Sequence, residues 1–136
     1  MPGRRLQLPP IYAMKWILLL VIVAFVLFAL KLRAAGTISA AAAREHLKQG
    51  APLVDVRTVA EYDAKHLTNT INIPLDQIGE ALPRRVPDKS QVVLLHCRSG
   101  RRSGMAEQQL RALGYTNVFN VGSYERAEKL VIGGSQ

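Results

Sequence analysis

The protein has 136 residues, of which 49% are hydrophobic and 21% charged, so its length fits one modest domain and its composition excludes a disordered chain. The single cysteine excludes an internal disulfide framework and a metal site built from several cysteines. The net charge of +8 would suggest a nucleic-acid or membrane partner, but the excess is unevenly distributed. Residues 1–36 hold five basic and no acidic residues, whereas the remaining 100 residues hold 13 basic and 10 acidic ones.

The first predicted element is an apolar helix that follows a tail over residues 1–10. Trp16 to Leu30 contains no polar side chain and has basic residues on both sides. At about 1.5 Å per residue this run is only about 22 Å long, but a helix from Ile11 to Leu32 measures about 33 Å, enough for a hydrocarbon core of roughly 30 Å. We therefore predict a transmembrane helix over residues 11–33 that anchors the chain in a lipid bilayer.

Two alternatives and the membrane orientation stay open for this helix. A cleaved signal peptide would need small residues at a cleavage site, and here Ala34 and Ala35 directly follow basic residues. A buried core helix would need more covering surface than so short a chain offers. The basic residues on the two sides are too evenly matched to fix the orientation. Initiation at Met14 would remove two arginines and favour a cytoplasmic C-terminal domain, with a periplasmic one as the alternative.

Strand-like and helix-like segments alternate in the rest of the chain. After a junction over residues 34–38 we predict one domain over residues 39–132 and a tail over residues 133–136. Strand, helix and strand in succession predict an α/β fold with a central parallel sheet flanked by helices. The predicted strands are Leu53–Val56, Val92–His96 and Val118–Val121, and the predicted helices run from the N-cap Ser39 to Gln49 and from Ser103 to Leu113, with Gly50 and Gly114 as their ends.

The segment between the second predicted strand and the second helix contains the cysteine. Ligands bind at the carboxyl ends of strands in such sheets. Gly100 permits a tight turn in which successive backbone N–H groups point to one centre and bind an anion. Ser103, at the predicted helix start, is expected to cap the helix and to bring the positive end of its dipole to the same centre.

Three arginines, Arg98, Arg101 and Arg102, add positive charge to this segment. Together with the amides they favour the thiolate, so we predict that the pKa of Cys97 lies below that of a free thiol and that Cys97 is a nucleophile. The alternative is an inert core cysteine at the end of an apolar strand. No aromatic residue is interleaved with the arginines, so we expect no nucleic-acid partner.

Several separated motifs resemble the rhodanese family over residues 51–124, and among its members the small single-domain bacterial proteins of the phage-shock type. The motifs are Val54-Asp55-Val56-Arg57, Glu61-Tyr62, His66-Leu67, Asn72-Ile73-Pro74-Leu75, Val86-Pro87-Asp88-Lys89, Cys97-Arg98-Ser99-Gly100-Arg101-Arg102, Leu113-Gly114-Tyr115 and Val121-Gly122. Where many members have His-Ile-Pro-Gly-Ala, this chain has His66-Leu67-Thr68-Asn69-Thr70, and Asn69 can adopt the left-handed conformation of such a turn.

The resemblance implies a bacterial thiosulfate sulfurtransferase without a metal or cofactor. Together with the predicted helix over residues 11–33, it suggests a single-pass protein of the bacterial inner membrane. Cys97 would attack thiosulfate, release sulfite and carry a persulfide to a thiol or cyanide acceptor. Arg98, Ser99, Gly100, Arg101, Arg102 and Ser103 would form the substrate-binding loop. A cysteine-dependent phosphatase or arsenate reductase, and a non-catalytic sulfur carrier or sensor at the membrane, are the alternatives. Phosphatase loops place five residues between cysteine and arginine, whereas four separate Cys97 from Arg102.

Three further residues are assigned to positions near the loop. His96 precedes the nucleophile, but successive side chains of a strand point to opposite faces, so we expect a packed histidine rather than a general base. Asp55 ends the neighbouring strand and is expected to support the site. Arg57 is expected to pair with Glu61 or with the chain that follows it.

Overall fold

The structure is a computed structural model that describes residues 11–34 and 37–133, with side chains for residues 14–28 and 37–133. The predicted tail over residues 1–10, residues 35–36 of the predicted junction and residues 134–136 of the predicted C-terminal tail lie outside the described residues. The chain divides into two units, Met1–Ala35 and Gly36–Gln136.

The first unit contains one helix, α1, which runs over Ile11–Ala34. Its large apolar side chains between Met14 and Phe28 are between 45% and 69% exposed. In the described part of the chain no helix is both long enough and apolar enough to cross a membrane. That finding does not support the transmembrane helix predicted over residues 11–33.

The second unit is built on a four-stranded sheet whose neighbouring strands are all parallel, in the order β2-β1-β3-β4. The predicted α/β fold with a central parallel sheet is thus confirmed. The strands are β1 over Leu53–Asp55, β2 over Thr70–Asn72, β3 over Val93–His96 and β4 over Val118–Gly122. The strand β2 has no counterpart in the sequence prediction.

Five helices flank this sheet in the described residues: α2 over Ala40–Lys48, α3 over Val59–Ala64, α4 over Ile78–Arg85, α5 over Arg101–Ala112 and α6 over Tyr124–Ile132. The Ser39 hydroxyl accepts the Ala42 N–H at 3.2 Å, which confirms the predicted cap of α2. Asn69 has φ 61°, the left-handed conformation expected for the turn before β2.

Two apolar clusters cover the two faces of the sheet, because successive side chains along each strand point to opposite sides. One cluster packs Val54 and Leu95 with α4 and α5, and it includes Cys97. The other packs Leu53 and Leu94 with α2 and α6. The alternation therefore places the thiol on the α5 face, at the carboxyl edge of the sheet.

Candidate active site

The cysteine loop over residues 97–103 follows β3 and includes the start of α5 at Arg101, and backbone bonds fasten it to the end of β4. The Cys97 N–H donates to the Gly122 carbonyl at 3.2 Å, and Ser99 forms a bridge with Ser123. Gly100 has φ 91°, and a Cβ added to it would lie 3.1 Å from the Gly122 Cα. Only glycine fits there, because a side chain would meet both an unfavourable φ and a fixed backbone.

The Cys97 sulfur is buried, with 1% of the residue exposed, and hydrogen-bond donors surround it. The Gly100 N–H donates to Sγ at 3.1 Å, and the Ser103 Oγ lies 3.5 Å from Sγ. Burial raises the pKa of the Cys97 thiol, but the Ser103 hydroxyl and the N–H groups of Ser103, Ser99 and Gly100 lower it by more. The net pKa therefore lies below the usual value, and the thiolate is favoured.

Ser103 does not cap α5 as the sequence predicted. The helix begins at Arg101, and its N-cap is Gly100, which offers no side chain. Ser103 lies in the first turn and is fully buried, so its hydroxyl points inward to the Gly100 carbonyl at 3.1 Å and to Asn120 Oδ1 at 2.8 Å, as well as to Cys97. Because a hydroxyl carries one proton, it donates to only one of these acceptors at a time.

Asn120 is a loop-positioning residue that the sequence analysis missed. Its Nδ2 donates to the Gly100 carbonyl at 3.0 Å, and its Oδ1 accepts the Gly122 N–H at 2.9 Å. Asn120 is only 6% exposed and lies in the apolar strand β4. A lone amide in an otherwise apolar strand was the available signal, since a buried polar group needs a partner.

The three loop arginines differ in their surroundings, although the sequence treated them as equivalent cations. Arg98 and Arg101 are exposed, and within residues 37–133 neither has a carboxylate at ion-pair distance. Arg102 is partly buried and donates from both terminal nitrogens to Glu61, at 2.6 and 2.8 Å. The hydrogen bonds from Arg102 are the main reason that the pKa of Glu61 falls to about 2. Because Glu61 balances the charge of Arg102, Arg98 and Arg101 are the loop arginines whose charge is available to attract an anion.

Asp55 and Arg57 form a buried ion pair, so of the two partners predicted for Arg57 the structure shows the chain that follows and not Glu61. The Arg57 Nε and Nη2 donate to Asp55 Oδ2 at 2.9 and 2.6 Å. Arg57 Nη2 also donates to the Lys65 carbonyl at 2.7 Å, in the chain segment that follows. The guanidinium lies 4.7 Å from the ring centre of Tyr124, which belongs to the cluster on the α2 and α6 face. The structure therefore places this pair on the sheet face opposite Cys97.

His96 lies beside that pair. Its Nε2 is 3.7 Å from Asp55 Oδ2, and among the described residues neither ring nitrogen has a hydrogen-bond partner. Burial is the main cause that lowers the pKa of His96, so the ring is neutral near pH 7. This geometry gives His96 no contact through which it could take a proton from Cys97. Within the described residues no group of three or more His, Cys, Asp or Glu side chains is placed to hold a metal ion.

Comparison with known proteins adds independent findings to this geometry. Residues 39–128 match the model of the rhodanese-like domain family. The thiosulfate sulfurtransferase PspE of Escherichia coli is 42% identical over 69 residues, which cover 51% of this chain and 66% of PspE. The chain therefore spans slightly less than two thirds of that relative.

Two solved structures resemble the fold. A rhodanese with anions from E. coli is 39% identical, has a TM-score of 0.53, and is matched over 55% of this chain and 88% of that one. The human single-domain sulfurtransferase TSTD1 is 29% identical, has a TM-score of 0.61, and is matched over 69% of this chain and 96% of that one. The matched residues make up more than half of this chain and include the Cys97 loop and the sheet that positions the loop. The chain therefore belongs to the rhodanese-like domain family.

Proposed function

We propose that the protein is a thiosulfate sulfurtransferase in which Cys97 carries the transferred sulfur as a persulfide. The observation that carries the proposal is the environment of the sulfur: a buried thiol faces the start of α5 and receives the Gly100 N–H at 3.1 Å. The resulting fall in the pKa of Cys97 favours the thiolate, which is the nucleophilic form. The name of the related PspE points to the same reaction.

The reaction has two steps. The Cys97 thiolate attacks the outer sulfur of thiosulfate, an S–S bond forms to Cys97, and the S–S bond of thiosulfate breaks to release sulfite with its electron pair. An acceptor thiolate or cyanide then attacks the outer sulfur of the persulfide, and Cys97 leaves again as a thiolate. No oxidant, reductant or second cysteine is needed for this cycle.

The loop supplies the charge that both steps require. Thiosulfate and sulfite are dianions, and the exposed Arg98 and Arg101 provide positive charge at the loop surface. The amides that stabilise the thiolate would also stabilise the anionic persulfide and the thiolate that leaves in the second step. Asp55 and Arg57 support this chemistry only indirectly, since their ion pair ties the end of β1, the strand beside β3, to the Lys65 carbonyl.

The deciding experiment measures thiocyanate formation from thiosulfate and cyanide by the full chain, with Cys97→Ser as the control. We expect the variant to lose at least about 10³-fold in kcat/KM, because the nucleophile is gone. Equal rates in the two proteins would refute the mechanism.

The same samples separate the alternative functions. Hydrolysis of p-nitrophenyl phosphate that depends on Cys97 would indicate a phosphatase, but Arg102 is already held by Glu61 and is not free to bind phosphate. A mass increase of one sulfur atom on Cys97 without turnover would indicate a carrier or sensor.

We further propose that the apolar segment of α1 attaches the protein to a lipid bilayer, in a bacterium the inner membrane. The support is chemical: large apolar side chains such as Trp16, Phe25 and Phe28 are 61% to 69% exposed in the described helix, and basic residues stand at both ends of the run. A cytoplasmic catalytic domain is the expected arrangement, with a periplasmic one as the alternative.

Alkaline carbonate extraction of membranes tests the attachment, since an embedded protein stays in the pellet and a peripheral one is released. Protease treatment of intact spheroplasts then reports the side of the domain. Recovery of the protein in the supernatant without membranes would refute the attachment.

A further inference from the structure

The ion pair between Glu61 and Arg102 joins segments that are 41 residues apart in the chain. Glu61 accepts two bonds from Arg102, and it also accepts the Thr58 backbone N–H at 3.1 Å and the Thr58 hydroxyl at 3.0 Å. The Thr58 hydroxyl in turn accepts the Glu61 N–H at 3.2 Å and completes a capping box at the start of α3. Thr58 therefore holds the Glu61 carboxylate in place independently of the Arg102 guanidinium.

Arg102 is also electrostatically linked to the nucleophile. It lies in the first turn of α5, directly before Ser103, whose Oγ is 3.5 Å from Cys97 Sγ, and two residues after Gly100, whose N–H donates to Sγ at 3.1 Å. Its pKa is raised, mainly by the hydrogen bond to Glu61 and further by the charge of the Cys97 thiolate. Arg102 thus belongs to the turn that surrounds the sulfur, while its guanidinium is paired with the Glu61 carboxylate.

We propose that Glu61 is a positioning residue that sets the reactivity of Cys97 by holding Arg102 in an ion pair and balancing its charge beside the thiolate. An unbalanced arginine would stabilise the thiolate further, and the nucleophilicity of a thiolate falls as its pKa falls. It would also bind thiosulfate and sulfite more tightly, because both are dianions. Glu61 therefore keeps the sulfur nucleophilic and anion binding moderate. The part that concerns turnover rests on the proposed sulfurtransferase function.

The test uses Glu61→Gln in the full chain, because glutamine keeps the length of the side chain and an oxygen that accepts from Thr58. The readout is the rate of Cys97 alkylation by iodoacetamide as a function of pH. We expect the midpoint of the profile to move to lower pH, with about twofold faster alkylation below the midpoint and slower alkylation on the plateau. In the sulfur-transfer assay KM for thiosulfate falls, and kcat falls with it.

Glu107→Gln is the matched control, since Glu107 forms a similar ion pair with Arg111 on the same helix. Its alkylation profile should coincide with that of the wild type. In Glu61→Gln/Arg102→Gln the shift to lower pH should disappear, because the effect acts through the guanidinium. Arg102→Gln alone should move the midpoint to higher pH, since it leaves the carboxylate unbalanced, and this variant serves if Glu61→Gln does not fold.

A Glu61→Gln profile that coincides with the wild type in a folded protein would overturn the proposal, and so would a shift that persists in the double variant. The alkylation readout does not depend on turnover. If the shift appears but neither protein transfers sulfur, the positioning role stands and the proposed function fails.

Discussion

His96 and Cys97 are consecutive residues with nearly the same burial, 0% and 1% exposed, and yet the pKa shift favours the neutral form of His96 and the charged form of Cys97. Burial disfavours charge on both, so it lowers the pKa of His96 and raises that of Cys97. His96 has no hydrogen-bond partner that reverses the effect, and it stays neutral. Cys97 has several donors, and its pKa falls despite burial. The two neighbours show that the hydrogen-bonding partners on each face of the sheet, rather than depth, decide whether burial of an ionisable group is compensated.

The two faces of the sheet differ in whether their polar groups form hydrogen bonds with the ionisable residue. On the face of His96, the Asp55 carboxylate is occupied by Arg57. On the face of Cys97, the loop turns through Gly100 and directs backbone N–H groups at the sulfur. The N-cap Gly100 has no side chain that could accept these N–H groups instead. Two substitutions beside Cys97 and one at His96 test this difference between the faces.

Gly100→Ala should have the largest effect. The added Cβ meets the Gly122 backbone at 3.1 Å on top of the unfavourable φ, so the free energy of unfolding should fall by at least about 3 kcal/mol, and alkylation of Cys97 at pH 7 should slow. Gly50→Ala is the control, since Gly50 has φ 85° but nothing within 4 Å of an added Cβ, and it should cost only about 1 kcal/mol. Equal losses in urea denaturation would show that the contact with Gly122 does not matter.

Ser103→Ala should have an intermediate effect, confined to reactivity. It removes the side-chain donor to Cys97 while Asn120 Oδ1 keeps its bond from the Gly122 N–H, so the fold should persist. The pKa of Cys97 should rise, and alkylation by iodoacetamide at pH 6 should slow by about fivefold. Ser103→Thr retains the hydroxyl and should stay near the wild type. If the alanine variant reacts as fast as the threonine variant, the backbone amides alone stabilise the thiolate.

His96→Leu should have the smallest effect, visible only as a change in pH dependence. The pKa of His96 is lowered in the folded protein, so the unfolded chain binds a proton to this residue more readily. The contribution of neutral His96 to the free energy of unfolding is therefore fully present above the ordinary pKa range of histidine and is lost as the pH falls through that range. Between pH 7.5 and 5.5 the free energy of unfolding should fall by up to about 1 kcal/mol, and the leucine variant should lack this fall.

The measurement is urea denaturation at both pH values with Cys97→Ser in both proteins. The thiol has a lowered pKa, so its own titration would add a slope of the same sign. The lowered pKa values of Glu61, Asp88 and Glu125 matter only in more acidic solution, because those of free carboxyls already lie below this window. Parallel curves for the two proteins would contradict a neutral, buried His96.

Local signals in the sequence were sufficient for much of the fold. The Ser39 cap, the apolar runs of β1, β3 and β4, and the position of Cys97 after β3 follow from side-chain types and short spacings. The strand β2 has only three residues and too little apolar character to be recognised. The capping box of Thr58 and Glu61 has a recognisable spacing, a threonine followed three residues later by a glutamate, and it marks the start of α3.

The missed parts of the site depend on contacts between distant segments. No sequence pattern within the loop indicates that Arg102 forms an ion pair with Glu61 or that Asn120 donates a hydrogen bond to the Gly100 carbonyl. Ser103 was assigned to the cap because serine is a common N-cap residue, whereas the left-handed Gly100 starts the helix earlier and turns the hydroxyl toward the core. These roles depend on side-chain contacts between segments that are distant in sequence, and a single sequence does not show which distant segments come together.

The depth of the Cys97 sulfur has a consequence for which atoms other molecules can reach. With 1% of the residue exposed, bulky thiols and large oxidants have little access to Sγ, which disfavours mixed disulfides and over-oxidation at the only cysteine. A persulfide places its outer sulfur one S–S bond, about 2 Å, beyond Sγ. An incoming acceptor thus meets the sulfur that is to be transferred before it can meet the sulfur that stays with the protein.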